Sequence, residues 1–422
     1  AIVGGPPPRR RAQYRARRGA LIINYELVRR DIADLQRFAP ELVVLDEAQR
    51  IKNRGTQTAR VIKELAPARR LVLSGTPLEN RLDELASVVE WVDDLAFEPR
   101  WRLDELHAVR NDEEGWVIGA QRLDTIRERM AHCFLRRRRD DVLDQLPPRR
   151  DSVVPVPLTS RQADAHEARA KPIAVLMRLE KHRKLTREER QRLLGLLTEQ
   201  RIICNGLAQH DFEATWPSLE GEQPTPFVLD SLAAPKLGAL RDLLAAILVV
   251  QRRKVVVFSQ WRRMLRLAAW ATRDIIDAAG LAGTWFTGAE SIDKRTRNIA
   301  AFERDPEVAV LWATDAGGVG LNLQYAASCV VNLDLPWNPA VLEQRIGRIH
   351  RLGQTKAIDV YNLVTVGGIE ERIAGIIEDK RALFDGLLDS DTCEVTFEYG
   401  ARSQFERLAG GPQSELTLER VS

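Results

Sequence analysis

Nowhere in the 422 residues does an apolar run approach the roughly eighteen positions a membrane-spanning helix requires, so no membrane partner is expected. Cysteine is scarce. Cys133, Cys204, Cys329 and Cys393 are dispersed, form no CxxC pair and have only His132 nearby at ligand spacing. That pattern argues against a structural zinc site and for a reduced, cytosolic setting. A strong net charge is missing too: 63 basic against 60 acidic residues leave +3, so any nucleic-acid-binding surface must be local. Lysine is rare, supplying ten of the 63 basic residues against 53 arginines.

What is there is a composition ordinary for globular proteins, 44% hydrophobic and 29% charged, on a chain long enough for two or three domains. The stretch LVVLDEAQRIKN at residues 42–53 carries the first chemical signal. Its four apolar residues do not alternate with polar ones, so they read as a strand buried on both faces of a parallel sheet. The strand runs straight into Asp46 and Glu47. In open α/β sheets, ligands sit beyond the carboxyl ends of strands. A carboxylate there can hold Mg²⁺ while its neighbour polarises an attacking water. The plainer alternative is a strand that ends in a polar turn.

A helix over 56–66 and a strand in RRLVLSGTPLEN (69–80) follow, an order that predicts a parallel α/β lobe. From about 81 to 232 charged helical segments dominate, and the Pro-bounded PPRRDSVVPVPLT (147–159) reads as an extended crossing. The arginine run 136–139 reads as a solvated helix face or a phosphate contact. A second α/β lobe starts near Lys236, with strands in KVVVFSQW, GTWFTG, VAVLWATDAGGVGLNL, SCVVNLDLPWNP and AIDVYNLVT. Gly317, Gly318 and Gly320, just after a strand, allow close backbone approach to phosphates or across a lobe interface, unless they are mere punctuation. In EQRIGRIHRLGQT, read within a single helix over 340–354, Gln344, Arg348 and Arg351 fall at i, i+4 and i+7. All three would then project from one helix face toward a partner's phosphates.

DEAQ, LSGTPLEN, VVVFSQW, ATDAGGVGLNLQ and QRIGRIHRLGQT occur in the order of helicase motifs. On these motifs the chain resembles the Swi/Snf branch of superfamily-two DNA-dependent ATPases over roughly residues 1–385. FLRRRRDDVLDQLPPR and DLPWNP are similar to further marks of that branch. The resemblance implies an α/β fold of two RecA-like parallel-sheet lobes with helical insertions between them. Residues 1–95 would form the C-terminal part of the first lobe, 96–234 helical protrusions and linker, 235–390 the second lobe, and 391–422 an extension. It also implies ATP with Mg²⁺, and double-stranded DNA as partner, with a DNA-bound protein client beyond it.

Carried onto this sequence, Asp46 would organise Mg²⁺, Glu47 would orient the hydrolytic water and Gln49 would sense the γ-phosphate side. Ser74 and Thr76 would couple nucleotide state to lobe movement, and Gly318 would lie against the nucleotide. Arg348 and Arg351 would be arginine fingers with Gln344 beside them. DNA contacts would fall on Asn24, Tyr25, Lys52, Asn53, Asn80, Gln260, Thr314 and Trp337, residues whose plainer reading is as caps at strand ends.

One departure matters: the family's phosphate loop, GxxxxGK[ST], occurs nowhere in the chain. The expectation is a piece of a longer protein, with a degenerate relative as the alternative. The expected activity is ATP-driven translocation on duplex DNA. A strand-separating helicase is the alternative enzyme, and a non-catalytic DNA-binding scaffold the alternative of another class. Intact Asp46, Glu47, Arg348 and Arg351 argue against the scaffold, which has no need of them.

Overall fold

The computed structural model describes residues 1–16, 19–75, 82–99, 101–110, 117–137, 146–315, 321–388 and 393–396. The described residues up to Arg136 and from Lys380 onward form one compact unit, and Arg137–Asp379 form another. The helical body read over 96–234 is thus divided between the two units.

In the first unit, strands β1 (Leu42–Leu45) and β2 (Arg69–Val72) pair in parallel, with Leu42 opposite Arg69 and Leu45 opposite Val72. A short 3-10 turn, Ala48–Ile51, and the helix Gln57–Lys63 connect them. Thr56 caps that helix by accepting the Ala59 N–H at 3.2 Å. Successive strand side chains point to opposite faces. Leu45 is buried and Val43 packs against the same core, which includes Val28, Leu35, Ile51, Ile62 and Trp91. Leu42 and Val44 point the other way and are 51% and 46% exposed. The expected burial of β1 on both faces is therefore corrected: among the described residues, this sheet has two strands and one covered face. A small antiparallel sheet of β3 (Ala108–Arg110), β4 (Val117–Gln121) and the strand Glu394–Thr396 completes the unit. The helices Leu82–Val92 and Leu123–Met130 pack beside it through Leu85, Val89, Leu123, Ile126 and Met130.

The second unit is built on six parallel strands. In spatial order they are β5 (Arg149–Pro157), β10 (Ile358–Val366), β9 (Cys329–Asn332), β6 (Val255–Phe258), β8 (Val308–Ala313) and β7 (Ala282–Phe286). Every residue of β6 and β9 is buried, the outcome expected of unbroken apolar runs covered on both faces. Val256, Phe258, Leu311 and Val330 face one core, to which the helices Ser160–His182 and Arg187–Asn205 bring Ile173, Leu176 and Leu197. Val255, Val257, Val310 and Val331 face the opposite core with Leu240, Leu244, Met264 and Leu267. Each fully buried leucine or valine stabilises the unit by roughly 1.5–3 kcal/mol before entropy is counted.

The segment read as an extended crossing is β5, in nine-residue register with β10. Pro155 and Pro157 hid it, since proline demotes a run to edge strand or non-strand, and β5 is an edge strand. A buried charge ties the unit's helices together. The Lys236 ammonium, fully buried, donates to Asn205 Oδ1 at 2.9 Å, the Leu333 carbonyl at 2.7 Å and Glu370 Oε2 at 2.6 Å.

Candidate functional site

At the carboxyl end of β1 the chain turns sharply. Glu47 adopts the left-handed conformation, φ 52° and ψ 51°, which costs a non-glycine residue on the order of 1–2 kcal/mol. The turn leaves Asp46 and Glu47 exposed and starts the 3-10 turn that buries Ala48 and Ile51. Asp46 Oδ1 accepts the Glu47 N–H at 3.0 Å. Gln49 Nε2 donates to Glu47 Oε2, and Ser74 Oγ donates to Gln49 Oε1 at 3.0 Å. A hydrogen-bonded line therefore runs from the end of β2, through Gln49, to the carboxylate of Glu47. The donor set at the strand end is exposed carboxylate oxygen, which fits a hard cation such as Mg²⁺.

Of the expected DNA contacts in this unit, Tyr25 donates its hydroxyl to the Asp46 carbonyl at 2.7 Å. Burial, reinforced by the Asp46 charge, pushes its phenol up to about 12, so it stays a donor at neutral pH. Asn24 caps the helix Tyr25–Phe38, accepting the Leu27 N–H at 2.8 Å. Asn53 accepts the Gly55 N–H at 2.9 Å, closing a turn, and Lys52 lies 3.8 Å from Glu84. Their plainer roles as caps and turn residues are thus present in the structure. Thr76, Asn80 and Gly318 lie outside the described residues.

The second unit organises its groups around Arg345. Arg345, 2% exposed, grips Asp315 with Nε at 2.6 Å and Nη2 at 2.8 Å. It also donates to the Asp334 carbonyl at 2.9 Å and to Asn332 Oδ1 at 3.2 Å. Burial opposes its charge, but the Asp315 and Asp334 carboxylates outweigh burial and hold the guanidinium above its ordinary value. Asp334, fully buried, in turn accepts the Ser259 hydroxyl and the Gln260 N–H, the latter at 3.0 Å. One arginine thus locks together the strand ends of ATDAGG, DLPWNP and VVVFSQW, with the Gln260 side chain exposed beside them.

The expected single helix over 340–354 is corrected. The helix is Pro339–Ile346, and Gly347 caps it with its N–H on the Glu343 carbonyl at 2.7 Å. Glycine is a poor helix former, and the tighter turns beyond it carry Ile349 into the core. Gln344 is therefore helical while Arg348 and Arg351 sit on turns, so the shared-face argument fails. Arg351 instead donates to the Leu321 carbonyl at 3.1 Å and to Asn322 Oδ1. The Arg348 carbonyl accepts the Leu323 N–H at 2.9 Å, and its side chain is half-buried.

Thr314 is 5% exposed and its hydroxyl finds no partner among the described residues, which removes it from the surface where a direct DNA contact would be made. Trp337 is engaged from within: the buried Arg201 guanidinium lies between the Trp337 and Trp261 rings, 4.8 Å from each. Arg201 comes from the helix Arg187–Asn205, read from sequence only as part of an insertion. No local pattern announced it, because stacking partners lie far away in sequence.

Comparison with known proteins gives the chain's family. The family model described as SNF2-related domain matches residues 6–208, and the one described as helicase conserved C-terminal domain matches residues 235–353. The chain belongs to the Swi/Snf-type ATPases of superfamily two. It is 28% identical to the human TATA-binding protein-associated factor 172, covering 93% of this chain and 23% of that protein. It is 28% identical to the Bacillus subtilis putative ATP-dependent helicase/translocase YwqA, over 88% of this chain and 38% of the relative. The Saccharomyces cerevisiae ISWI chromatin-remodeling complex ATPase ISW2 is 29% identical over 96% of this chain and 36% of its own. The chain thus spans about a quarter to two fifths of the length of these relatives. A solved Sulfolobus solfataricus SWI2/SNF2 ATPase core in complex with dsDNA is 24% identical, with a TM-score of 0.44 over 88% of this chain and 73% of that one.

Proposed function

We propose that the chain is motor-core sequence of an ATP-driven translocase on double-stranded DNA, which uses hydrolysis to remodel DNA-bound protein. The observation that carries the reading is the exposed Asp46–Glu47 pair at the end of a parallel strand, wired through Gln49 to Ser74. Asp46 would hold Mg²⁺, which supplies charge neutralisation at the phosphates of ATP. Glu47 accepts a hydrogen bond from Gln49 and orients water with its carboxylate. The Gln49–Ser74 link reports movement at the end of β2 to that carboxylate. Arg348 and Arg351, seated on turns fixed to Leu321, Asn322 and Leu323, supply the positive charge a developing phosphoryl transition state requires. A carboxylate pair in one unit and an arginine pair in the other favour a motor over a passive scaffold.

On DNA the reading is tested by fluorescence anisotropy with duplexes of unrelated sequence. Backbone contacts carry no base information and release counterions, so affinities should agree across sequences and fall steeply with salt. Binding confined to one sequence, or insensitive to salt, would sink the translocase reading. Efficient strand displacement by the full-length protein would favour the strand-separating alternative.

A further inference from the structure

We propose that Asp93, His132 and Cys133 form a cation site in the first compact unit, of a chemistry suited to Zn²⁺. One carboxylate oxygen, one imidazole nitrogen and one sulfur from these residues all lie within 4.8 Å of one another. His132 Nε2 is 2.6 Å from Asp93 Oδ2, while the other Asp93 oxygen, Oδ1, accepts the Leu95 N–H at 2.9 Å. That second bond fixes the carboxylate's orientation, the role an outer hydrogen bond plays for a ligating group.

Both supports are anchored by backbone hydrogen bonds and shared packing. Asp93 directly follows the helix Leu82–Val92, with its N–H on the Val89 carbonyl at 2.9 Å. His132 and Cys133 follow the helix Leu123–Met130, and the Cys133 N–H bonds the Met130 carbonyl at 2.9 Å. Both helices share one buried core, against which Cys133 itself packs. The ligands thus stand at the ends of two elements that are held together without any ion.

Around a tetrahedral Zn²⁺, with bonds of about 2.0–2.3 Å, neighbouring donors stand roughly 3.3–3.7 Å apart. The 2.6 Å His–Asp contact would open to admit the ion, a movement within reach of rotation of the His132 side chain, which is 60% exposed. A mixed nitrogen, oxygen and sulfur set suits a borderline cation rather than the hard Mg²⁺ that the oxygens at Asp46 and Glu47 fit. Three protein ligands leave a position open to water, so the site is of the accessible kind and not a closed structural finger. Cysteine spacing alone argues against a structural zinc site, but the third donor, Asp93, lies 39 positions from His132 and reaches it only in the fold.

The test is Co²⁺ titration of the reduced, tag-free chain, followed by thiolate-to-metal charge-transfer absorption and by competition with Zn²⁺. One equivalent of Co²⁺ should generate the band, and Zn²⁺ should abolish it. Cys133→Ser should lose the band, while Cys393→Ser should keep it. His132→Ala should weaken Co²⁺ binding at least about tenfold, and its exposed side chain gives it no reason to misfold. No band in the unaltered chain, or a band that survives Cys133→Ser, overturns the proposal.

Discussion

The two parallel sheets begin from the same kind of sequence and end in different environments. In the second unit, β6 and β9 are buried at every residue, with helices on both faces. In the first, Leu42, Val44, Leu71 and Leu73 are between 46% and 51% exposed on the face turned away from the core. Val-Val-Val-Phe and Leu-Val-Val-Leu are equivalent as strings. An unbroken apolar run therefore reports the capacity to be covered on both faces, and the partners present decide whether it is. The proposed charges divide in the same way: Asp46 and Glu47 follow a strand of the thinly covered sheet, and Arg348 and Arg351 belong to the unit of the fully covered one.

The largest expected effect follows from what the first unit's sheet lacks. Phosphate loops hold a triphosphate by several backbone N–H groups and a lysine, and losing one preorganised donor typically costs about 10²–10³ in rate. No such loop occurs in these residues. The 422-residue chain alone should therefore show no measurable DNA-stimulated ATP hydrolysis. Phosphate release above background by the purified chain would mean that another group holds the triphosphate.

Next come the charges themselves, tested in the full-length protein. Arg348→Ala should lower DNA-stimulated turnover on the order of 10³-fold, with DNA affinity little changed. Glu47→Gln preserves size and the bond from Gln49 but removes the charge, and should lower turnover about 10²-fold while nucleotide still binds. Weakened DNA binding with unchanged turnover in the Arg348 variant would make it a groove contact instead.

How much of this was legible follows from range. Asp46 and Glu47 were readable because strand and charge are adjacent in sequence. Arg345 was not, because Asp315 and Asp334 reach it only through the sheet. The helix break at Gly347 was obscured by periodic arginines that mimic a helical face. β5 was hidden by two prolines that only an edge strand tolerates. Arg201 and His166 lie on helices that looked like an insertion, yet Arg201 stacks on Trp261 and Trp337, and His166 accepts the Ile369 N–H at 3.1 Å.

His166 gives the second unit a pH dependence of its own. It is 5% exposed, and burial, with the Arg372 charge adding to it, pushes its imidazole down to about 4. An unfolded chain takes up this proton near pH 6.5, the folded one only near pH 4. Between those values the unfolded state binds more protons, so stability should fall as pH drops from about 6.5 to 4, by at most on the order of 3 kcal/mol. His166→Gln keeps an acceptor for Ile369 and should flatten that part of the curve. A slope unaltered by the substitution would show that His166 does not carry it.

The smallest effects probe the opening contrast directly, with one substitution placed in both sheets. Valine to threonine keeps the branched shape and strand preference but exchanges a methyl for a hydroxyl. At Val256, fully buried in β6, the hydroxyl must be desolvated, which costs about 1–3 kcal/mol by mutational experience. At Val44 in β1, 46% exposed, water can satisfy it, and the change should stay within about 0.5 kcal/mol. Hydrogen exchange read on peptides from each unit separates the two responses, since local protection follows local opening. If Val44→Thr instead cost as much as Val256→Thr, the outer face of β1 would be covered in solution. The difference between the sheets would then be one of packing partner and not of exposure.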